Sequence, residues 1–262
     1  MTHLAYDIAD GLATVTLRNP PQNRISAQMS DELAEAVDAI GKSKARALLL
    51  RADGPDFSFG GDIVPWPTMT NRELRAHFEH AMSVFNQFER LPIPTIAAVQ
   101  GHCFGGGLEL AIRADMIFAG ESARFGHPEQ SLGIVTLLGG VYRVAERAGR
   151  ARAAEMAFTS EPIPARTMQQ YGVVNRVFSD DALAAESLAF AQKIARGPTL
   201  AHAAHKALLR AWALGGVRAA DEALFDIAMP LFETDDVKKG IPSAVNALAA
   251  GKPRPALPWS GR

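Results

Sequence analysis

Two short runs, Ala47-Leu48-Leu49-Leu50 and Thr95-Ile96-Ala97-Ala98-Val99, are apolar at almost every position. A strand with one wet face alternates polar and apolar residues, so a run without alternation predicts a strand covered on both faces. Helical patterns precede these runs and lie between them. Met29, Leu33, Val37 and Ile40 fall at helical spacing, and Gly41 ends that pattern. Thr70-Asn71-Arg72-Glu73 reads as a capping box, and Leu74, Phe78, Ala81, Met82, Phe85 and Phe88 then share one side of a helix that Pro92 and Pro94 stop. Strand, helix, strand, helix implies crossover connections and a largely parallel sheet.

Ala13, Val15 and Leu17 alternate with Thr14 and Thr16 as a half-buried strand, which Asn19-Pro20-Pro21-Gln22-Asn23 breaks. Residues 108–113 read as a helix and 116–119 as a strand. The pattern changes at Gly197-Pro198, after which 200–214, 219–231 and 237–248 are helical runs rich in alanine and leucine. We read residues 1–196 as a mixed α/β core and 197–262 as a helical segment, too small for a core of its own, that packs on the first part or on a neighbouring subunit. The prolines and glycines of 252–262 predict a loose tail.

Net charge is −1 over 262 residues, which gives no electrostatic case for nucleic acid or an anionic membrane. Arg143, Arg147, Arg150 and Arg152 read as a solvated helix face. The single cysteine, Cys103, excludes an intrachain disulfide, points to a reducing compartment and reads as buried packing. The N-terminus lacks a signal-peptide pattern and no apolar run reaches about 18 residues, so the expectation is a soluble cytoplasmic protein. No G-x-S-x-G, H-E-x-x-H or P-loop is present, and no dinucleotide fingerprint stands in the right setting. His77, His80, His202 and His205 have no cysteine or carboxylate cluster to complete a metal site, so no metal is expected.

Chemistry concentrates in three segments. Phe57-Ser58-Phe59-Gly60-Gly61-Asp62-Ile63 follows the first fully apolar strand, and Gly105-Gly106-Gly107-Leu108-Glu109 follows the second and opens a helix. Glycine there allows a ligand to approach the main chain, and first-turn amides lack intrahelical partners. Each loop alone is as well explained by a tight turn. Two such loops after two strands of one parallel sheet, however, meet at the same edge. Glu109 lies in a helix that is apolar almost all round, so it reads as buried and in need of partners. Glu129, in Phe125-Gly126-His127-Pro128-Glu129, reads by itself as an exposed loop acid.

Together these segments resemble the crotonase superfamily, the enoyl-CoA hydratase/isomerase family, and the likeness runs on to Tyr171-Gly172-Val173-Val174-Asn175-Arg176-Val177. The resemblance implies a spiral of repeated ββα units with a helical C-terminal trimerisation region, assembled as homotrimers or homohexamers. It implies an acyl-CoA thioester substrate, with CoA as part of the substrate and no separate cofactor. Catalytic positions carried over are Glu109 and Glu129, with the N–H groups of Phe59 and Gly106 as an oxyanion hole. Contacts to the acyl-CoA fall at Arg24, Ile25, Gly60, Asp62 and Ile63. The implied activity is enoyl-CoA hydration, in which Glu129 is the main acid/base and Glu109 positions the water. Alternatives on the same frame are double-bond isomerisation, thioester hydrolysis, or acyl-CoA binding without catalysis. Where hydratases carry P-G-x-G-G-T, this chain has Thr136-Leu137-Leu138-Gly139-Gly140-Val141, and Leu137 in place of glycine implies an acyl group of different shape, such as a cyclic one.

Overall fold

The computed structural model describes residues 2–261. In chain order its elements begin with β1 (Leu4–Ala9), β2 (Leu12–Leu17), α1 (Ala27–Lys42), β3 (Ala47–Ala52), α2 (Asn71–Glu89), β4 (Thr95–Val99), β5 (His102–Phe104), α3 (Gly106–Ala111) and β6 (Met116–Gly120). They continue with β7 (Arg124–Gly126), α4 (Gly140–Ala148), α5 (Arg150–Thr159), β8 (Ile163–Pro164), α6 (Ala165–Gln170), β9 (Arg176–Phe178), α7 (Leu183–Ala195), α8 (Thr199–Ala228) and α9 (Asp235–Ala249).

The large sheet runs β1-β2-β3-β4-β6-β9, antiparallel only at the first pair. The small sheet runs β5-β7-β8, and Ser58 bridges to Cys103 beside it. The chain therefore visits the large sheet, then the small one, then a helix: β3, Ser58, α2; β4, β5, α3; β6, β7, α4. These are turns of a ββα spiral. The doubly apolar strands are covered on both faces as their composition requires. Leu48, Leu50, Ala97 and Val99 join one buried cluster with α1, α2 and α3, while Ala47, Leu49, Ile96 and Ala98 join a second with Leu183, Ala191 and Ala195 of α7.

The capping box is formed in full: Glu73 N–H donates to Thr70 Oγ1 at 3.3 Å and Thr70 N–H to Glu73 Oε2 at 2.7 Å. β1 is a strand the sequence reading lacks, since only Leu4 of its six side chains is buried. The short β5 precedes α3, which spans six residues and ends before Arg113. Two expected C-terminal helices are one interval, broken at Gly215 and Gly216 (φ −146° and 70°), and α9 contains Pro242.

Two expectations are corrected. Arg143 and Arg147 are half-buried rather than solvated: Arg143 pairs with Glu89 at 2.7 Å, and Arg147 donates to the carbonyls of Ile112 and Ala114 at 2.8 and 2.6 Å. The tail is not loose through residue 261. Ser260 N–H and Gly261 N–H donate to the Asp236 carboxylate at 2.6 and 2.9 Å, and Arg46 donates to Trp259 O at 3.0 Å. Cys103 is fully buried, and no described helix is long and apolar enough to cross a membrane.

Candidate active site

The loop after β2 lies along the Phe57–Asp62 segment and is fixed there by main-chain bonds. Asn23 (buried, φ 47°) donates through Nδ2 to the carbonyls of Asp53 and Asp56, and Ser58 Oγ donates to Asn23 O at 2.7 Å. Ile25 N–H donates to Gly60 O at 2.8 Å, and Asp62 N–H to Ile25 O at 3.0 Å. Arg24 and Ile25 are thus brought beside Gly60, Asp62 and Ile63, all five expected at one subsite. Ile25 is buried, with Cδ1 3.5 Å from where a β-carbon on Gly106 would sit. Arg24 is half-buried and bonds Gln22 Oε1 at 2.7 Å, while Asp62 is half-buried and Ile63 exposed.

Phe59 requires correction. Its N–H donates to Gln22 O at 2.9 Å, so that donor is spent inside the fold. Its ring packs on His102 and Phe104, with centroids 4.8 and 5.8 Å away. Among the described residues, the amides of Gly61 and Gly106 have no acceptor. They are close together, because a β-carbon on Gly106 would lie 3.4 Å from Gly61 N, and one on Gly60 would lie 3.2 Å from Gly106 N. Gly60 has φ 96°, and its β-carbon would also meet Phe104 O at 2.9 Å. Only glycine fits that turn without strain. The indole edge of Trp66 closes one side, 3.2 Å from a β-carbon on Gly61, and rests edge-on against Phe78.

Glu109 is 2% exposed. Its Oε1 accepts the N–H groups of Leu138 and Gly140 at 2.7 and 2.9 Å. The loop that supplies them is held from behind by Arg113, whose fully buried guanidinium donates to Leu138 O at 2.8 Å and to Asn86 and Glu89 at 2.6 and 2.9 Å. Burial pushes the Glu109 carboxyl up to about 7, and the charge of Glu129 adds to this, against the pull of the two N–H groups and Arg113. Burial likewise raises Glu129, which is not the exposed acid its turn alone implies. Its Oε1 sits 2.8 Å from where a β-carbon on Gly105 would be, next to the Gly106 amide.

His127 completes the group. It is 1% exposed, neither ring nitrogen has a partner, and burial holds the ring down at about 4, so it is neutral at pH 7. The structure therefore brings Gly61, Gly106, Glu109, Glu129 and His127 together. Sequence reasoning missed three contributors. Gly61 carried no signal to prefer it over its neighbours. Arg113 could have been flagged as a charge ending an apolar run, and His127 as a titratable group inside a segment already singled out. Among the described residues, no group of three or more His, Cys, Asp or Glu side chains is placed to hold a metal ion.

Chemically, two free amides can stabilise an oxyanion, and two carboxyls whose pKa burial raises can take part in proton transfer. The profile of the family described as "Enoyl-CoA hydratase/isomerase" matches residues 7–247. A probable enoyl-CoA hydratase of Bacillus subtilis is 30% identical over 247 residues, 92% of this chain and 95% of that protein. The 2,3-dehydroadipyl-CoA hydratase of Escherichia coli is 33% identical over 228 residues, 86% of each chain. The crystal structure of an enoyl-CoA hydratase from Bacillus anthracis superposes with a TM-score of 0.89 at 25% identity, covering 99% of this chain and all of that one. The chain belongs to the enoyl-CoA hydratase/isomerase family of the crotonase superfamily and has its fold.

Proposed function

We propose that this protein is an enoyl-CoA hydratase that adds water across the 2,3 double bond of an enoyl-CoA thioester. The observation that carries this reading is the pair of unpartnered amides, Gly61 and Gly106, beside two carboxyls whose pKa burial raises. The thioester oxygen accepts from both amides, and the charge that develops on it as water attacks is stabilised there. Losing one such donor costs about 3–4 kcal/mol of barrier. Glu129 takes a proton from the water as its oxygen bonds to C3, and a proton is returned to C2, so the product is the 3-hydroxyacyl thioester. Glu109, fixed through Oε1, orients the water through its other oxygen. CoA enters as part of the substrate, over Arg24, Ile25, Gly60, Asp62 and Ile63.

A panel of enoyl-CoA thioesters, straight-chain and cyclic, followed by loss of the conjugated-thioester absorbance, tests this. Glu129→Gln is expected to lower kcat by about 10²–10⁴, the usual share of acid–base catalysis. Unchanged turnover in that variant would sink the mechanism. Turnover that moves the double bond without adding water would instead make the protein an isomerase, and release of free CoA a thioester hydrolase. Binding without any turnover would make it a non-catalytic acyl-CoA-binding protein.

A further inference from the structure

Neither the amide pair nor the two carboxylates explain why a histidine is enclosed with both ring nitrogens unsatisfied. Leaving such a buried group unpaired is costly, so its persistence points to a bond closed in the working state. Its surroundings identify the partner. Nδ1 of His127 lies 3.7 Å from Glu129 Oε2, and that oxygen is itself buried and unpaired. On its other side the ring abuts Gly140. A β-carbon there would meet His127 Cε1 at 2.4 Å and Glu109 Cγ at 2.8 Å, so the imidazole shares one glycine surface with the second glutamate. The His127 carbonyl accepts from Ser160 Oγ at 2.8 Å, which anchors the main chain and leaves the ring as the part that can adjust.

We propose that His127 is a positioning residue for Glu129: its Nδ1–H closes onto Oε2 and holds the carboxylate ionised and aimed at the reacting water. A movement of under about 1 Å brings the pair to hydrogen-bond length. The ring is neutral at working pH, so it donates without adding a charge that would compete for the oxyanion. Burial raises Glu129 and its own main-chain N–H pulls it back; the Glu109 carboxyl of α3 is coupled to it by charge, and Arg113, just beyond α3, acts on Glu109. A donor to the charged form lowers a carboxyl's pKa, so losing His127 removes that pull and the midpoint rises. The role rests on Glu129 being the acid/base of the hydration proposed above.

The test compares wild type with His127→Asn, which carries an amide nitrogen near the place of Nδ1, and His127→Met, which fills the volume without a donor. An infrared titration of the carboxyl stretch, each protein read against its own Glu129→Gln counterpart, follows Glu129 with no need of turnover. The His127→Met midpoint is expected to rise by about one pH unit, a ten-fold loss of ionised form on the acid side, with His127→Asn restoring it. The acid limb of kcat/KM is expected to move with it. An unmoved midpoint would reduce His127 to packing. If the methionine variant does not fold, nitrogen-15 NMR of the wild-type imidazole decides the matter: the Nδ1–H tautomer is required, and the Nε2–H tautomer overturns the proposal. Both spectroscopic readouts stand even if no enoyl-CoA is hydrated, an outcome that would sink the hydratase reading alone.

Discussion

A main-chain N–H can hold a ligand's charge only if no carbonyl of the protein takes it first. Phe59 and Gly61 are two residues apart, yet Gln22 O claims the first amide and leaves the second free. Removal of each donor's surroundings therefore has opposite expected outcomes. Gly106 is the first helical residue of α3, a position where proline is tolerated, so Gly106→Pro removes the N–H at small cost to the helix. Its kcat is expected to fall by about 10²–10³ with the protein still folded. Phe59→Ala keeps every amide and loses only ring packing on His102 and Phe104, so kcat within a few-fold of wild type is expected. Steady-state kinetics alongside circular dichroism checks both, and equal losses in the two variants would contradict the assignment. On pH, Glu109 titrating at about 7 is expected to place a limb of the rate profile near neutrality, and Glu109→Gln to abolish it.

Elements hold these residues in place through contacts far apart in the chain. The loop before α4 offers its N–H groups to Glu109 because Arg113, Glu89 and Arg143 tie α3, α2 and α4 together behind it. Arg113→Met leaves Glu89 with Arg143 alone and strips the Leu138 carbonyl and Asn86 of a donor, and is expected to cost about 1–3 kcal/mol in urea unfolding. At the other end of the core, Glu32 of α1 accepts the N–H groups of Thr2, His3 and Leu4 at 2.9 Å and anchors β1. Burial alone would raise this carboxyl, but those bonds and Gln28 outweigh it and bring it down to about 2 from the ordinary 4.5. A depressed carboxylate stabilises the fold above its unfolded value and loses that contribution as pH falls through the folded one. Glu32→Gln is therefore expected to be about 1–3 kcal/mol less stable than wild type at pH 7, with the difference shrinking between pH 4.5 and 2. Denaturation curves across that interval check it. The same distances explain what could be read in advance. The capping box at Thr70, the doubly covered β3 and β4 and the burial of Glu109 follow from neighbours within a few residues. The claim of Gln22 on Phe59, the pairing of Arg143 with Glu89 and the capture of Ser260 by Asp236 join residues that only the completed fold brings together.

Over the whole molecule, apolar side chains cluster on the outside of the C-terminal helices. Leu209, Leu214, Val217 and Phe225 are each at least 65% exposed, and Trp212 and Phe232 are about half exposed. Large apolar side chains this exposed are the kind that an assembly would bury. A homotrimer or homohexamer is the expected assembly, with light scattering after gel filtration giving a mass of three or six chains. Leu209→Glu with Phe225→Glu is expected to yield smaller species, and a wild-type monomer at micromolar concentration would overturn the expectation. The seat proposed for the thioester oxygen has a further consequence. It is made of peptide nitrogens hemmed in by Gly60 and Gly105, whose β-carbons would come within 2.9 Å of Phe104 O and 2.8 Å of Glu129 Oε1, so substitution there has almost no way to tune it gradually. Trp66 stands beside it as an ordinary side chain, and Leu137 shares a pocket with Phe78, on which Trp66 packs, so both can be exchanged singly. Inheritance in such a molecule is divided: one part of the reaction is kept or lost as a unit, and the choice of acyl group drifts residue by residue around it.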